Sequence, residues 1–175
     1  MPESHGNNIL FYQLTTALAW DPDGITRESF LRDFALRRYG VDSARAMEQA
    51  WSLAADAVMS GVRVLPWHRS TPFYKRFGGE HEDSLVPLIS FFDFTRGNFR
   101  AFEERAIPLL RDAVRLAVTQ RYLQRDNRLY ENDLVELAKC LWSHESNLLL
   151  IDAFDAFSRG DRPGLDAALG AAIAR

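Results

Sequence analysis

Residues 132–160 read NDLVELAKCLWSHESNLLLIDAFDAFSRG, and this stretch decides the fold. Leu134, Leu137, Leu141, Leu148, Ile151, Phe154 and Phe157 recur at helical spacing, and together they surround much of the helix axis. Asn132 or Asp133 can start the helix and Arg159-Gly160 can end it, which gives roughly 40 Å of helix at 1.5 Å per residue. A helix that is apolar nearly all round belongs inside a bundle. β-branched alternating runs are nearly absent elsewhere. The expectation is therefore an all-α bundle of six to eight helices with this one central, and with Leu134, Leu137, Leu141, Leu148, Ile151, Trp51, Phe30 and Phe34 buried.

The rest of the chain supplies the other helices. Ile9, Leu10, Leu14 and Leu18, with Phe11 beside them, make residues 8–18 a helix, and Asp21-Pro22-Asp23-Gly24 forces a turn. Thr26 caps a second helix over 27–39, with Glu28 in its first turn and Gly40 as its stop. Asp42 or Ser43 starts a third, which runs through Trp51 to Met59 and is closed by Gly61. Residues 62–82 hold Pro66, Pro72, Gly78 and Gly79 and read as one long irregular loop. A short helix over 84–95 carries Pro87 in its first turn. Asn98 caps a further helix to about residue 121. An interior proline costs about 3 kcal/mol, so Pro108 predicts a break or kink near Ala106. Asp161 and Pro163 open a short final helix.

Composition narrows the function classes. The 175 residues, 20.0 kDa, suit a single domain spanning 1–175. A chain of this size buries roughly 70% of its unfolded surface and needs no covalent staples. With 24 acidic and 21 basic residues the net charge is −3, which argues against a nucleic-acid binder. Cys140 is the one cysteine, so an internal disulfide and a Cys-rich zinc site are both excluded. No apolar run reaches the ~18 residues of a membrane span, so no membrane partner is expected. No basic region leads into an apolar core after Met1, so no signal peptide is expected and no compartment is indicated.

Few side chains suggest chemistry. His5, His68, His81 and His144 lack the i,i+4 partner of a helical zinc pair, and His81 with Asp83 has no further ligands, so no metal site is expected. Glu145 stands between Leu141 and Leu148 on an apolar stripe. A carboxylate there marks a site or pairs with a neighbouring arginine. In the long loop, Trp67, His68 and Tyr74 are flanked by Arg69, Phe73, Lys75, Arg76 and Phe77. Aromatic faces that can stack on pyranose rings, beside donors for hydroxyls, resemble the rim of a sugar pocket. The same aromatics could equally pin the loop to the bundle. No G-x-S-x-G, glycine-rich phosphate loop or P-loop motif is present.

Five motifs in order carry a family resemblance. Pro2-Glu3 is followed by Asn8, Tyr12, Leu14 and Trp20. Then come Arg37-Arg38-Tyr39-Gly40, Ala50-Trp51-Ser52-Leu53, the segment from Tyr130 through Asp133-Leu134-Val135-Glu136-Leu137, and Ala156-Phe157-Ser158-Arg159-Gly160-Asp161. This order resembles the α-N-acetylglucosaminidases, glycoside hydrolase family 89, where the chain leaves the catalytic barrel and enters a C-terminal helical domain. Residues 62–124 do not align. The resemblance implies a retaining glycosidase in which Glu3 takes the place of the nucleophile, and residues 1–7 are a stub after a barrel that supplies the acid/base glutamate. It implies a barrel partner, a carbohydrate substrate in the complete enzyme and no cofactor, with Trp67, His68 and Tyr74 as candidate substrate contacts. Such a pair needs its carboxyls roughly 5–5.5 Å apart, so the isolated chain is expected to be inactive. Two other readings are a stand-alone helical interaction module and the helical tail of another sugar-cleaving barrel enzyme, since Leu18-Ala19-Trp20-Asp21-Pro22 resembles α-glucuronidases as well. If the domain sits against a barrel, the first helix, with Leu10, Phe11 and Leu14, should form an apolar docking face.

Overall fold

The computed structural model describes residues 9–59 and 86–173. Within them the chain is a bundle of six helices, with no strand among the described residues: α1 (Ile9–Trp20), α2 (Arg27–Tyr39), α3 (Val41–Met59), α4 (Val86–Thr119), α5 (Arg128–Ser158) and α6 (Arg162–Ile173). The expected loop over 62–82 lies outside the described residues.

Local chemistry accounts for most helix ends. The Thr26 side chain accepts from the Ser29 amide, and the Ser29 hydroxyl reaches back to the Thr26 amide, so α2 opens on a capping box. Gly40 then takes φ +74°, where a side chain would be strained, and α3 begins at once. Ser43 is therefore not the cap of α3. It is fully buried and accepts a hydrogen bond from Gln124 instead. Asp161 Oδ1 accepts from the Gly164 amide at 3.0 Å, which opens α6 as expected.

Two further boundaries differ from the sequence reading. α4 is one unbroken helix through Gly97, Asn98 and Pro108, where two helices and a break were expected. Pro108 sits on the exposed side of α4, so the Glu104 carbonyl that loses its partner lies on the water side. Phe102, Ala106, Ile107, Leu110, Ala113 and Ala117 are buried on the other side. At roughly 1.5–3 kcal/mol per large apolar side chain, that burial outweighs the cost of one proline. The start of α5 also moves. Asn127 is its cap, with Oδ1 accepting from the amides of Leu129 and Tyr130, which frees Asp133 for another task.

Consecutive helices α2, α3, α4, α5 and α6 pack as neighbours, and α2 returns to touch α5. The core lies among α2, α3, α4 and the first half of α5. Phe34 sits edge-on to Trp51 at 5.8 Å and to Tyr39 at 6.2 Å, with Tyr39 edge-on to Tyr130 at 6.5 Å. Phe30, Phe34, Trp51, Leu137 and Ile151 are buried as expected. Leu134, Leu141 and Leu148 are only half-buried, because α5 lies between α4 and α6 rather than at the bundle axis. Leu10, Leu14 and Ala17 turn α1 inward against the core, so they form no outward docking face; Tyr12, Leu18 and Trp20 are exposed on α1 beside Thr15 and Thr16, and the Phe11 side chain lies outside the described residues.

Candidate functional site

Three places in the bundle gather side chains that could serve a function. The first joins α2, α3 and α5. Asp133 is buried and accepts from Arg38 through two nitrogens, Nε to Oδ2 and Nη2 to Oδ1 at 2.8 Å. The Tyr39 hydroxyl donates to Asp133 Oδ2 at 2.6 Å, and Trp51 Nε1 donates to the Tyr39 oxygen at 2.7 Å. Around this clasp, Gln124 Nε2 donates to the Tyr39 carbonyl at 2.7 Å and to Ser43 Oγ at 2.9 Å. Asn127 Nδ2 donates to the Arg38 carbonyl at 2.9 Å, and the Tyr130 hydroxyl to the Ala117 carbonyl at 2.7 Å.

The electrostatics of the clasp are those of a sealed unit. The hydrogen bond to Asp133 raises the Arg38 pKa, against the pull of burial. Burial, then the charge of Asp133 and its hydrogen bond, pushes the Tyr39 phenol far above its usual 10, with Trp51 and Arg38 opposing. Tyr39 is therefore a fixed donor, unable to serve as a base near neutral pH. Both carboxylate oxygens of Asp133 are engaged within the clasp. Its task is to hold helix ends in register.

The second place bridges α4 and α5. Glu103 is 1% exposed and is held by His144 Nδ1 at 2.5 Å and Asn147 Nδ2 at 2.9 Å, while Phe102 lies edge-on to the His144 ring at 5.4 Å. Burial would lower the His144 pKa, but contacts with Cys140 and Glu103 prevail and raise it to about 9. At neutral pH the His144 ring is therefore an imidazolium, held against Glu103. Glu145, one residue on, takes the arginine pairing: Arg111 Nε and Nη2 donate to its Oε1 at 2.8 and 2.6 Å. Arg100 extends the seam through Asp152 and Asp155 at 2.6 and 3.0 Å.

The third is an open groove of about 560 Å³ between α1 and α2. Tyr12 and Gln13 line it from α1, Arg37 from α2 and Leu129 from the start of α5, over Phe30 and Phe34. Arg37 donates through Nε to the Asp33 carbonyl at 3.2 Å.

Glu3, Trp67, His68 and Tyr74, the candidate catalytic and sugar-contacting residues, lie outside the described residues, as do His81 and Asp83. Among the described residues no group of three or more His, Cys, Asp or Glu has a metal-holding arrangement, and no helix is long and apolar enough to cross a membrane. Glu103 escaped the sequence reading, although the signal was there. It stands three, four and seven residues before Ala106, Ile107 and Leu110, a carboxylate in an apolar stripe as Glu145 is. Gln124 and Asn127 carry no such signal. No known family model, curated protein or solved structure matches the chain.

Proposed function

We propose that this chain is the C-terminal helical domain of an α-N-acetylglucosaminidase-like glycoside hydrolase. In this reading the domain seats against a preceding catalytic barrel and supports hydrolysis of terminal α-linked N-acetylglucosamine by the complete enzyme. The observation that carries the reading is the meeting of motif residues. Arg38 and Tyr39 come from Arg-Arg-Tyr-Gly, Trp51 from Ala-Trp-x-Leu, and Asp133 from the Asp-Leu-Val-Glu-Leu segment. They span as many as 95 positions of sequence and form one hydrogen-bonded clasp. α1 adds support: it carries no charged residue and exposes Tyr12, Leu18 and Trp20, whereas a helix facing water normally carries charge.

In this reading the work of the domain is positional. Glu3 precedes the first residue of α1 by six positions. As nucleophile it attacks the anomeric carbon while the acid/base carboxyl of the barrel protonates the leaving oxygen, and water then resolves the glycosyl-enzyme. A misplacement of about 1 Å at such a centre costs about 100-fold in rate, so a rigid bundle directly after the nucleophile has a purpose.

The test is hydrolysis of an aryl α-N-acetylglucosaminide. The 175-residue chain should be inactive, the protein with its upstream barrel active, and Glu3→Gln in that longer protein slower by orders of magnitude, because an amide is a far weaker nucleophile. Full turnover by the Glu3→Gln enzyme would refute the assignment. The exposed Tyr12, Leu18 and Trp20 of α1 also favour a second reading, a stand-alone interaction module. The sequence upstream of Met1 separates the two: a barrel encoded there decides for the first.

A further inference from the structure

We infer that the end of the bundle where the α4–α5 connection meets the α2–α3 junction docks on the surface of an anionic lipid bilayer. The inference stands apart from the glycosidase reading. The two segments form one unit: buried Gln124 donates to the Tyr39 carbonyl and to Ser43, and Asn127 donates to the Arg38 carbonyl. The connection is itself wound tight, with the Leu123 amide on the Gln120 carbonyl at 3.0 Å and the Asn127 amide on the Gln124 carbonyl at 2.9 Å. On this fixed base apolar side chains stand in water. Tyr122 is 78% exposed, Leu123 62%, and Val41, across the junction, 79%.

Positive charge gathers at the same end. Residues 36–45 and 121–129 hold six arginines and only two carboxylates, Asp42 and Asp126, in a chain whose net charge is −3. Asp133 neutralises Arg38, and Arg125 lies 3.3 Å from Asp126. Arg37, Arg45, Arg121 and Arg128 are exposed and form no ion pair among the described residues. Glu131, in the first turn of α5, leaves the sign of this end unchanged. Asp152 and Asp155 stand 24 and 27 positions beyond Arg128 on α5, roughly 36 Å or more away at 1.5 Å per residue. That is several Debye lengths at physiological salt, so a surface at the arginine end is shielded from them. The mixture names the partner. Arginines around protruding apolar side chains match an anionic bilayer: the guanidinium groups take headgroup phosphates and carboxylates while the apolar tip enters between them. A nucleic acid offers the phosphates but nothing for Leu123 and Val41 to enter. The Tyr122 ring, which could stack on a base, already carries the Arg121 guanidinium 5.1 Å from its centre. An acidic protein segment calls for a groove, and this tip protrudes. The contact is with the surface alone, since no described helix is long and apolar enough to cross.

Sedimentation of the 175-residue chain with vesicles tests this. At about 0.1 M salt, phosphatidylcholine vesicles with about 30% phosphatidylserine should bind it at least tenfold more strongly than phosphatidylcholine alone, and about 0.5 M salt should release it. Arg121→Gln and Arg128→Gln should each weaken binding about fivefold. Tyr122→Ser together with Leu123→Ser should weaken it at least tenfold. All four positions are exposed, so circular dichroism should not change. Arg159→Gln and Arg162→Gln, exposed arginines beyond the far end of α5, should leave binding as it is. The inference is overturned if neither vesicle binds, if both bind equally, or if the tip variants bind like the parent. It is also overturned if the Arg159 and Arg162 variants lose as much as those at Arg121 and Arg128, which would make the effect one of total charge. Retention of the chain by polyuridylate or polyglutamate without vesicle binding overturns the bilayer as the partner.

Discussion

Replacing Asp133 by alanine tests the clasp most directly. The carboxylate is 2% exposed and receives two hydrogen bonds from Arg38 and one from Tyr39. Its removal leaves the Arg38 guanidinium, whose side chain is only 12% exposed, without a counter-charge, and the Tyr39 hydroxyl without its acceptor. Breaking a buried pair from one side costs about 3–5 kcal/mol. The orphaned hydroxyl overlaps with that cost, because Arg38 and Tyr39 share Asp133 Oδ2, so the whole effect should be about 4 kcal/mol. For a chain of this length that is a fall in Tm of about 10 °C. Asp133→Asn, which keeps an acceptor for Tyr39 and loses the charge, should cost about 2 kcal/mol. The decisive variant is the double change Arg38→Met with Asp133→Leu. It removes both charges and their desolvation but still leaves the Tyr39 hydroxyl without its acceptor, so it should lie within about 1–3 kcal/mol of the parent and be more stable than Asp133→Ala. Urea unfolding followed by circular dichroism of the parent, Arg38→Met, Asp133→Leu and the double variant gives all four corners of the cycle. If Asp133→Ala loses less than about 1 kcal/mol, or if the double variant is no more stable than Asp133→Ala, the clasp does not hold the fold as argued.

Further outcomes follow from the α4–α5 seam and from α4 itself. The His144 pKa rises from 6.5 to about 9 in the fold, so its contribution is fully present below pH 6.5 and is lost as pH climbs through 9. The loss should approach about 3 kcal/mol, seen as falling urea midpoints between pH 6.5 and 9.5, and His144→Gln should flatten that slope; a parent whose stability is level across this range would disprove the ion pair. Pro108→Ala should stabilise the protein by up to about 3 kcal/mol, because it restores the amide that α4 lacks, and a calorimetric Tm at or below that of the parent would mean the helix is not continuous there. Leu110 is fully buried, so Leu110→Ala should cost about 2–5 kcal/mol in the same denaturation assay, and a loss under 1 kcal/mol would count against the packing of α3 on α4.

What could be read from the sequence depended on how local the deciding physics was. α2 was legible from end to end, because Thr26, Ser29 and Gly40 act on their own neighbours. α4 was misread at Pro108, where a local rule predicted a break and tertiary burial on the opposite face overrode it. The start of α5 was misread because Asp133 is a good cap by type. Its carboxylate instead serves Arg38, 95 positions away, and Asn127 caps the helix. The motif residues Arg38, Tyr39, Trp51 and Asp133 stood out as words in the sequence, but their mutual hydrogen bonds exist only in three dimensions. Glu145 was weighed as a site or a salt-bridge partner, and Arg111 decides for the latter.

The order in which the helices pack has a kinetic consequence. From α2 to α6 each helix lies against the next one in the chain, and the α2–α3, α4–α5 and α5–α6 pairs are joined by short connections, which favours fast local pairing. Two meetings are long in range: the buried face of α4 from Phe102 onward meets α3, which ends at Met59, and Arg38 must find Asp133 across 95 positions, so the ordering entropy of the intervening chain must be overcome first. Asp133 therefore forms its contacts late. Substituting it should leave the folding rate nearly untouched and accelerate unfolding, whereas changes at Phe34, which meets Trp51 of the adjacent helix only 17 positions on, should slow folding itself.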